Sequence, residues 1–189
     1  MSQGPKYPST VAPEGYYDGL IDRVRSNLMP TLQPYLERAT HVLELGSGTG
    51  IHAGVYAEAF DNIQSLQPTE ADAFLVGQCR DNAGPVNERL TVKSSQPTTK
   101  LLHAQVLDVL EDPDWRNLAK HLPSRSKWDT VLINNCLHMI PFPQGATAIF
   151  RSLERLTTPD ATFLASGPFK SDKGYFSRSD EEPANMAGS

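Results

Sequence analysis

Short apolar runs alternate with amphipathic segments along most of this chain. Runs of strand length lie at 41–45, 63–70, 101–107, 128–135 and 161–165. The segments between them repeat apolar residues at helical spacing or carry turn formers. Such alternation is typical of a parallel sheet with helices on both faces, so we predict an α/β fold with a doubly wound parallel sheet.

Helices are predicted before, between and after these strands. Pro13 suits the first turn of a helix whose apolar residues recur at helical spacing over 17–28. After the second strand, Phe74 and Cys79 are predicted to belong to the buried stripe of another helix. The segment 83–100 has few apolar residues and several turn formers, and we interpret it mainly as an irregular connector.

The most informative segment follows the first strand, where Gly46, Gly48 and Gly50 stand two residues apart. Glycines permit positive φ and let the backbone approach a ligand closely. The dinucleotide fingerprint would need a glycine where Ile51 stands, and no Gly-Lys-Ser/Thr run of a phosphate-binding loop follows. With Glu44 two residues before the first glycine, the segment favours an adenosine-bearing cofactor; a purely structural tight turn is the alternative.

Two more acidic residues follow neighbouring predicted strands. In a parallel sheet the strand ends lie side by side, so a ligand at the first end can meet residues of the next two. Glu70 ends the second strand, where its carboxylate can accept both ribose hydroxyls, and Asp108 follows the third, placed to accept from an adenine amino group. The alternatives are a helix N-terminal acid within the capping arrangement of Thr69 and Asp72, and a solvated loop acid at Asp108.

Polar residues also follow the fourth strand. Asn134, Asn135 and His138 lie at or just past its carboxyl end. His138 is the candidate general base, because imidazole titrates near neutral pH. Asn134 and Asn135 are candidates to orient an acceptor or to bond a cofactor's amino group, although one of them equally fits a turn cap. His138 equally fits a residue that only bonds the backbone or lines the pocket.

Five sequence blocks, in this order, resemble one small family, the DUF938 proteins, which include the human methyltransferase-like protein 26. The blocks are 42–53 (VLELGSGTGIHA), 66–70 (LQPTE), 107–109 (LDV), 133–138 (INNCLH) and 167–169 (GPF). The resemblance implies a Rossmann-like class I methyltransferase fold that binds S-adenosylmethionine as cofactor.

The resemblance also implies which residues hold the cofactor and which act on the substrate. The implied cofactor residues are Glu44, Gly46, Ser47, Gly48, Gly50, His52, Glu70, Asp108, Val109 and Asn134, and the implied catalytic residues are His138 and Asn135. Tyr16 and Tyr17 are candidate lid residues. No metal site is predicted, because Cys and His lack ligand spacing.

The two ends of the chain depart from the family pattern. Only a short polar segment follows Phe169, where the family continues with a helix and an antiparallel strand pair. We expect one domain over 1–170, a sheet truncated after its fifth strand, and a flexible tail over 171–189. An uncovered fifth strand invites pairing with another chain, which predicts a homodimer or a partner protein at this edge.

Composition restricts the class of protein and of substrate. The 189 residues are 39% hydrophobic, carry a net charge of −5 and include two cysteines, Cys79 and Cys136. Without a basic stripe, nucleic acid is disfavoured as a substrate. The sequence predicts neither a membrane span nor a signal peptide, so we expect a cytoplasmic protein with reduced thiols.

These features together favour a methyltransferase that acts on a small molecule. One alternative is a protein of the same fold that cyclises, isomerises or dehydrates a metabolite. Another is a noncatalytic subunit that supports a partner enzyme. The fold cannot separate them, since one scaffold hosts many activities.

Overall fold

The structure is a computed structural model that describes residues 19–93, 101–122, 127–167, 170–171 and 174–175. The predicted helix start at Pro13, the candidate lid residues Tyr16 and Tyr17, and most of the predicted tail lie outside these residues. The described helices are α1 (Leu20–Arg23), α2 (Met29–Leu36), α3 (Ile51–Ala59), α4 (Ala73–Lys93), α5 (Asp112–Leu118) and α6 (Gln144–Leu156), with a π-helical segment (Val24–Leu28) between α1 and α2. The described strands are β1 (His41–Leu45), β2 (Ser65–Glu70), β3 (Gln105–Val106), β4 (Trp128–Asn134), β5 (Thr157–Ser166), β6 (Lys170–Ser171) and β7 (Gly174–Tyr175).

Five of the strands form one sheet in the order β3-β2-β1-β4-β5. All neighbouring strands in it are parallel, which confirms the predicted doubly wound parallel sheet. The strand order reverses between β1 and β4, and open α/β sheets bind ligands outside the carboxyl ends of their strands at such a point. The strands β6 and β7 pair with each other in antiparallel orientation.

Helices cover both faces of the sheet, and β1 supplies residues to both. Val42 packs in one hydrophobic cluster with Tyr56 of α3, while Leu43 packs in the other with Trp115 of α5. Successive side chains of a strand point to opposite faces. Glu44 therefore lies on the same face as Val42, toward α3.

The segment predicted to be an irregular connector is largely helical, so that prediction was wrong. The helix α4 continues to Lys93, and its second half buries Ala83, Val86 and Leu90. These three positions keep helical spacing, but the polar residues between them made the apolar stripe hard to recognise in the sequence.

No described helix is long and apolar enough to span a bilayer.

Two further local predictions also differ from the structure. Phe74 is 63% exposed rather than buried, and Val76 and Cys79 form the buried stripe at the start of α4. The third strand is limited to Gln105–Val106, although an isolated bridge joins Leu101 to β2. The short β3 still brings the following residues beside the end of β2.

Candidate functional site

The glycine turn between β1 and α3 has the backbone that its sequence predicts. The φ angle is 68° at Gly46, 55° at Gly48 and 80° at Gly50. A side chain is disfavoured at such angles. A Cβ at Gly46 would lie 2.5 Å from the Sγ of Cys136, and one at Gly50 would lie 2.5 Å from the Sγ of Cys79. Packing against the two thiols therefore requires glycine at both positions.

Gly48, in the middle of the turn, faces open space. A Cβ there would meet no atom within 4 Å. The N–H of Gly48 donates to Oε2 of Glu70 at 2.9 Å, and the N–H of Ser47 donates to the carbonyl of Thr69 at 2.8 Å. The turn is thus tied to the end of β2 and leaves its central face accessible to a ligand.

The carboxylate of Glu70 is bonded to the backbone through both oxygens. Its Oε1 accepts from the N–H groups of Ala71 and Asp72 at 2.7 and 3.2 Å. Asp72 accepts from the N–H of Phe74 at 2.8 Å at the start of α4, whereas the hydroxyl of Thr69 donates to a β1 carbonyl. Each carboxylate oxygen offers two acceptor positions, so Oε1 is fully used and Oε2 retains one position for a ligand hydroxyl.

Glu44, next to the last residue of β1, is buried and only 1% exposed. Its Oε1 accepts a hydrogen bond from Nδ2 of Asn134 at 3.1 Å, and its Oε2 has no hydrogen-bond partner. Burial raises the pKa of this carboxyl, against the lowering effects of the His52 charge and of hydrogen bonding by Ser47 and Asn134. A buried acceptor of this kind suits a ligand that donates a hydrogen bond or carries positive charge.

The sequence analysis missed Ser166, at the end of β5. Its hydroxyl donates to Oδ1 of Asn134 at 2.9 Å, so one polar chain runs from Ser166 through Asn134 to Glu44. This chain crosses the ends of β5, β4 and β1 on one face of the sheet. The signal that could have found it is a serine directly before Gly167, at the end of a predicted strand beside Asn134.

The sequence analysis also missed Tyr56 of α3. The side chain is fully buried, and its hydroxyl has no hydrogen-bond partner. Burial raises the pKa of Tyr56, and the nearby charge of Glu44 raises it further. The His52 ring lies 6.3 Å from the Tyr56 ring, on the same side of α3. Both aromatic residues therefore belong to the surroundings of Glu44.

The segment after β3 lies beside the end of β2. The N–H of Leu107 donates to the carbonyl of Glu70 at 2.9 Å. Asp108 is 8% exposed; its N–H donates to Oδ2 of Asp114 at 2.9 Å and its Oδ1 accepts from a backbone N–H two residues on. Val109, next along, is partly exposed. The structure thus brings Asp108 close to Glu70 in a fixed turn.

The predicted catalytic residues lie on a more exposed segment. Asn135 is exposed, has a φ of 50°, and donates its N–H to the carbonyl of Ser166 at 2.7 Å. His138 is exposed in a 3-10 turn at Leu137–Met139. Asparagine tolerates the left-handed backbone conformation better than most residues. The backbone alone can therefore explain an asparagine at position 135, without any contact to a substrate.

The two cysteines beside the glycine turn are free thiols. Burial raises the pKa of Cys79 to about 12 and that of Cys136 to about 11, and the charges of Glu44 and Glu70 add to both shifts. Both side chains are therefore neutral packing groups near neutral pH. Within the described residues, no group of three or more His, Cys, Asp or Glu could hold a metal ion.

Comparison with known protein families shows to which family this chain belongs. The model of a family described as a protein of unknown function, DUF938, matches residues 17–186. The chain belongs to the DUF938 family. The match includes the glycine turn, both strand-end acids and the segment after β4 of this DUF938 protein.

Solved structures share the fold of this DUF938 protein at low sequence identity. The apo form of the S-adenosylmethionine-dependent methyltransferase SibL is 17% identical with a TM-score of 0.58, covering 87% of this chain and 40% of its own. DesVI of Streptomyces venezuelae is 12% identical with a TM-score of 0.50, covering 81% and 52%. This chain therefore spans about half or less of their lengths. The likeness establishes the Rossmann-like fold of class I methyltransferases.

Proposed function

We propose that this DUF938 protein is an S-adenosylmethionine-dependent methyltransferase that acts on a small molecule. The observation that carries the proposal is Glu44, a buried carboxyl whose Oε2 has no partner and which lies directly before the glycine turn. The open space at Gly48 gives a ligand access to the middle of that turn. A cofactor with a positively charged amino acid portion matches both features. The fold shared with SibL supports the same assignment.

The polar groups along the strand ends fit the other parts of this cofactor. Glu70 ends β2, and its Oε2 retains one acceptor position for a ribose hydroxyl. Asp108 follows β3, beside Glu70, where it can accept from an adenine amino group. In order from β3 to β1 the sheet thus presents groups for adenine, for ribose and for the charged end of the cofactor.

Catalysis in this proposal is mainly a matter of position. The bound cofactor supplies a methyl group on a sulfonium whose leaving thioether is neutral, which needs little acid-base assistance. The chain must therefore hold an acceptor in line with that group. Asn135 orients the acceptor, and His138 removes a proton when the acceptor is a hydroxyl or an ammonium group.

The exposed edge of β5 favours a second candidate, a homodimer or a noncatalytic subunit of a partner enzyme. Within the described residues, the ten-residue β5 pairs only with β4, at Thr157 and from Thr162 to Ser166. Phe150 of α6 is 56% exposed, and its ring lies 5.2 Å from that of Phe163 on β5. An unpaired strand edge beside apolar surface invites another chain. A monomer at micromolar concentration in sedimentation analysis would count against it.

Calorimetric titration with S-adenosylmethionine and S-adenosylhomocysteine tests the main proposal. We expect micromolar affinity for both, roughly −8 kcal/mol. Glu70→Ala is expected to weaken binding by about 1 to 3 kcal/mol, the range for hydrogen bonds to a charged group. Glu88→Ala, at an exposed position on α4, is the matched control and should bind as the parent does. Absence of binding by the parent protein would contradict the proposal.

A further inference from the structure

The carboxyl of Glu44 is buried without a cationic partner. Its Oε1 accepts a hydrogen bond from Asn134, and its Oε2 has no hydrogen-bond partner. The Ser47 side chain lies close enough to lower the pKa of Glu44 as a hydrogen-bonding group. Within the described part of the chain, no Lys or Arg forms an ion pair with Glu44. Arg25 and Arg89 both pair with Glu58 instead.

The polar and titratable groups that act on Glu44 come from the glycine turn and from four neighbouring elements. They are Ser47 of the turn, His52 and Tyr56 of α3, Glu70 at the end of β2, Cys79 of α4, and Asn134 and Cys136 at or just past the end of β4. Among these, His52 can bring a positive charge, whereas Glu70 brings a negative one. The Ser166 hydroxyl donates to Oδ1 of Asn134, so the amide nitrogen of Asn134 faces Glu44 as a donor.

An ionised carboxylate in this position is costly. Taking a carboxylate out of water without a paired cation costs several kcal/mol, and a group in such a site tends to take up a proton instead. Burial accordingly raises the pKa of Glu44, and the charge of Glu70 acts in the same direction. The Oε2 atom, which lacks a partner, is the one available for the proton.

We propose that Glu44 carries a proton in the ligand-free protein and releases it when a ligand places a positive charge against its Oε2 atom. The step breaks the O–H bond of the carboxyl, and the proton passes to the solvent buffer. The carboxylate and the ligand cation then form the ion pair that the empty site lacks. Binding of a cationic ligand is thereby linked to pH.

This inference rests on the proposed function, because the cofactor supplies the positive charge. Between the pKa of Glu44 in the free protein and its lower pKa in the complex, one proton leaves for each ligand bound. The dissociation constant then falls by up to about tenfold for each pH unit of increase in that interval. Outside that interval the affinity no longer changes through Glu44.

Calorimetric titration with S-adenosylhomocysteine in two buffers of different ionisation enthalpy measures the released protons directly. At about pH 6 an α-amino group of ordinary pKa is already protonated, so the ligand itself takes up no proton. The observed enthalpy should change with the buffer in proportion to the protons that leave Glu44. The same pair of titrations is made with Glu44→Gln and with the control Glu88→Gln, at an exposed position on α4.

We expect proton release by the parent and by Glu88→Gln, and none by Glu44→Gln. Binding by the parent with equal enthalpy in both buffers would overturn the inference and leave the proposed function intact. Release that persists in Glu44→Gln would overturn it as well. Failure of the parent to bind would overturn both. If Glu44→Gln does not fold, the parent's dissociation constant between about pH 5.5 and 8 decides, since a constant value contradicts the linkage.

Discussion

The two halves of the site differ in how firmly the chain holds them. One half, which we call the cofactor side, consists of the glycine turn, Glu44 and Glu70, all held by backbone bonds or burial. The other half, the acceptor side, is the segment 135–142, where Met139 is 61% and Phe142 is 85% exposed. A preformed half suits a ligand that is always the same. An exposed half suits a substrate that differs between relatives or completes the site when it binds.

The largest expected effect is on the cofactor side, at Gly46. Gly46→Ala forces a side chain into a left-handed backbone and against Cys136, with its Cβ 2.5 Å from Sγ. We expect a loss of about 2 to 5 kcal/mol in the free energy of unfolding, measured in urea. Gly48→Ala shares the positive φ but has open space, so it should lose only about 1 to 2 kcal/mol. Equal losses would show that Cys136 does not limit this turn.

The second effect concerns pH and Glu44. Because burial raises the folded-state pKa of Glu44 above 4.5, its protonated form stabilises the fold at low pH. That stabilisation is lost as the pH rises from 4.5 to the folded-state pKa, by up to about 1.4 kcal/mol per pH unit. Glu44→Gln removes this dependence, so its advantage in free energy of unfolding over the parent should grow toward neutral pH. Parallel curves for the two proteins would contradict a raised pKa.

The polar chain of Ser166, Asn134 and Glu44 ends on the cofactor side, and its removal should cost somewhat less. Asn134→Ala leaves Glu44 Oε1 and the Ser166 hydroxyl without partners, which should cost about 1 to 3 kcal/mol. Ser166→Ala removes one neutral bond and should cost about 1 kcal/mol. The double variant should lose less than the sum of the two, because the residues form one chain. Additive losses in chemical unfolding would mean that the two bonds act independently.

A smaller effect is expected at the start of the acceptor side. Asn135 has a φ of 50°, so Asn135→Ala should lose about 1 kcal/mol through backbone strain. Asn135→Gly relieves that strain and should melt close to the parent. If the glycine variant folds normally but loses methyl transfer, the Asn135 side chain has the orienting role proposed for it. If Asn135→Gly retains methyl transfer, Asn135 only stabilises the backbone turn.

The smallest effect on stability is expected at His138. This side chain is exposed, so His138→Ala should change the free energy of unfolding by less than about 0.5 kcal/mol. As the general base it should nevertheless contribute about 10² to 10⁴ to kcat for an acceptor that must lose a proton. Binding of S-adenosylhomocysteine should stay unchanged in the same variant. If His138→Ala keeps the parent's kcat for such an acceptor, His138 is not the general base.

The cofactor side was predictable from the sequence because its signals are local. The spacing of Gly46, Gly48 and Gly50 fixes one tight turn, and strand ends place Glu70 and Asp108 beside it. The contact between Glu44 and Asn134 joins residues 90 positions apart, and that of Ser166 with Asn134 joins residues 32 apart. Such contacts depend on strand register, which neither segment reveals alone.

The second half of α4 shows another limit of local signals. Pro85 lies inside this helix, and polar residues surround its apolar positions. Burial of Ala83, Val86 and Leu90 against the core stabilises the helix in spite of its weak intrinsic propensity. Tertiary packing, which the sequence pattern barely indicates, therefore determines that this segment is helical.

The central claim is that one ligand, S-adenosylmethionine, lies along the carboxyl ends of β1, β2 and β3. Titration of the ¹⁵N-labelled protein with S-adenosylhomocysteine, followed through amide chemical shifts, tests this location directly. The account predicts the largest shifts at the amides of 46–52, 70–72 and 108–110. Shifts confined to another surface, such as the groove of α4 lined by Asn87 and Thr91, or no shifts at all, would contradict it.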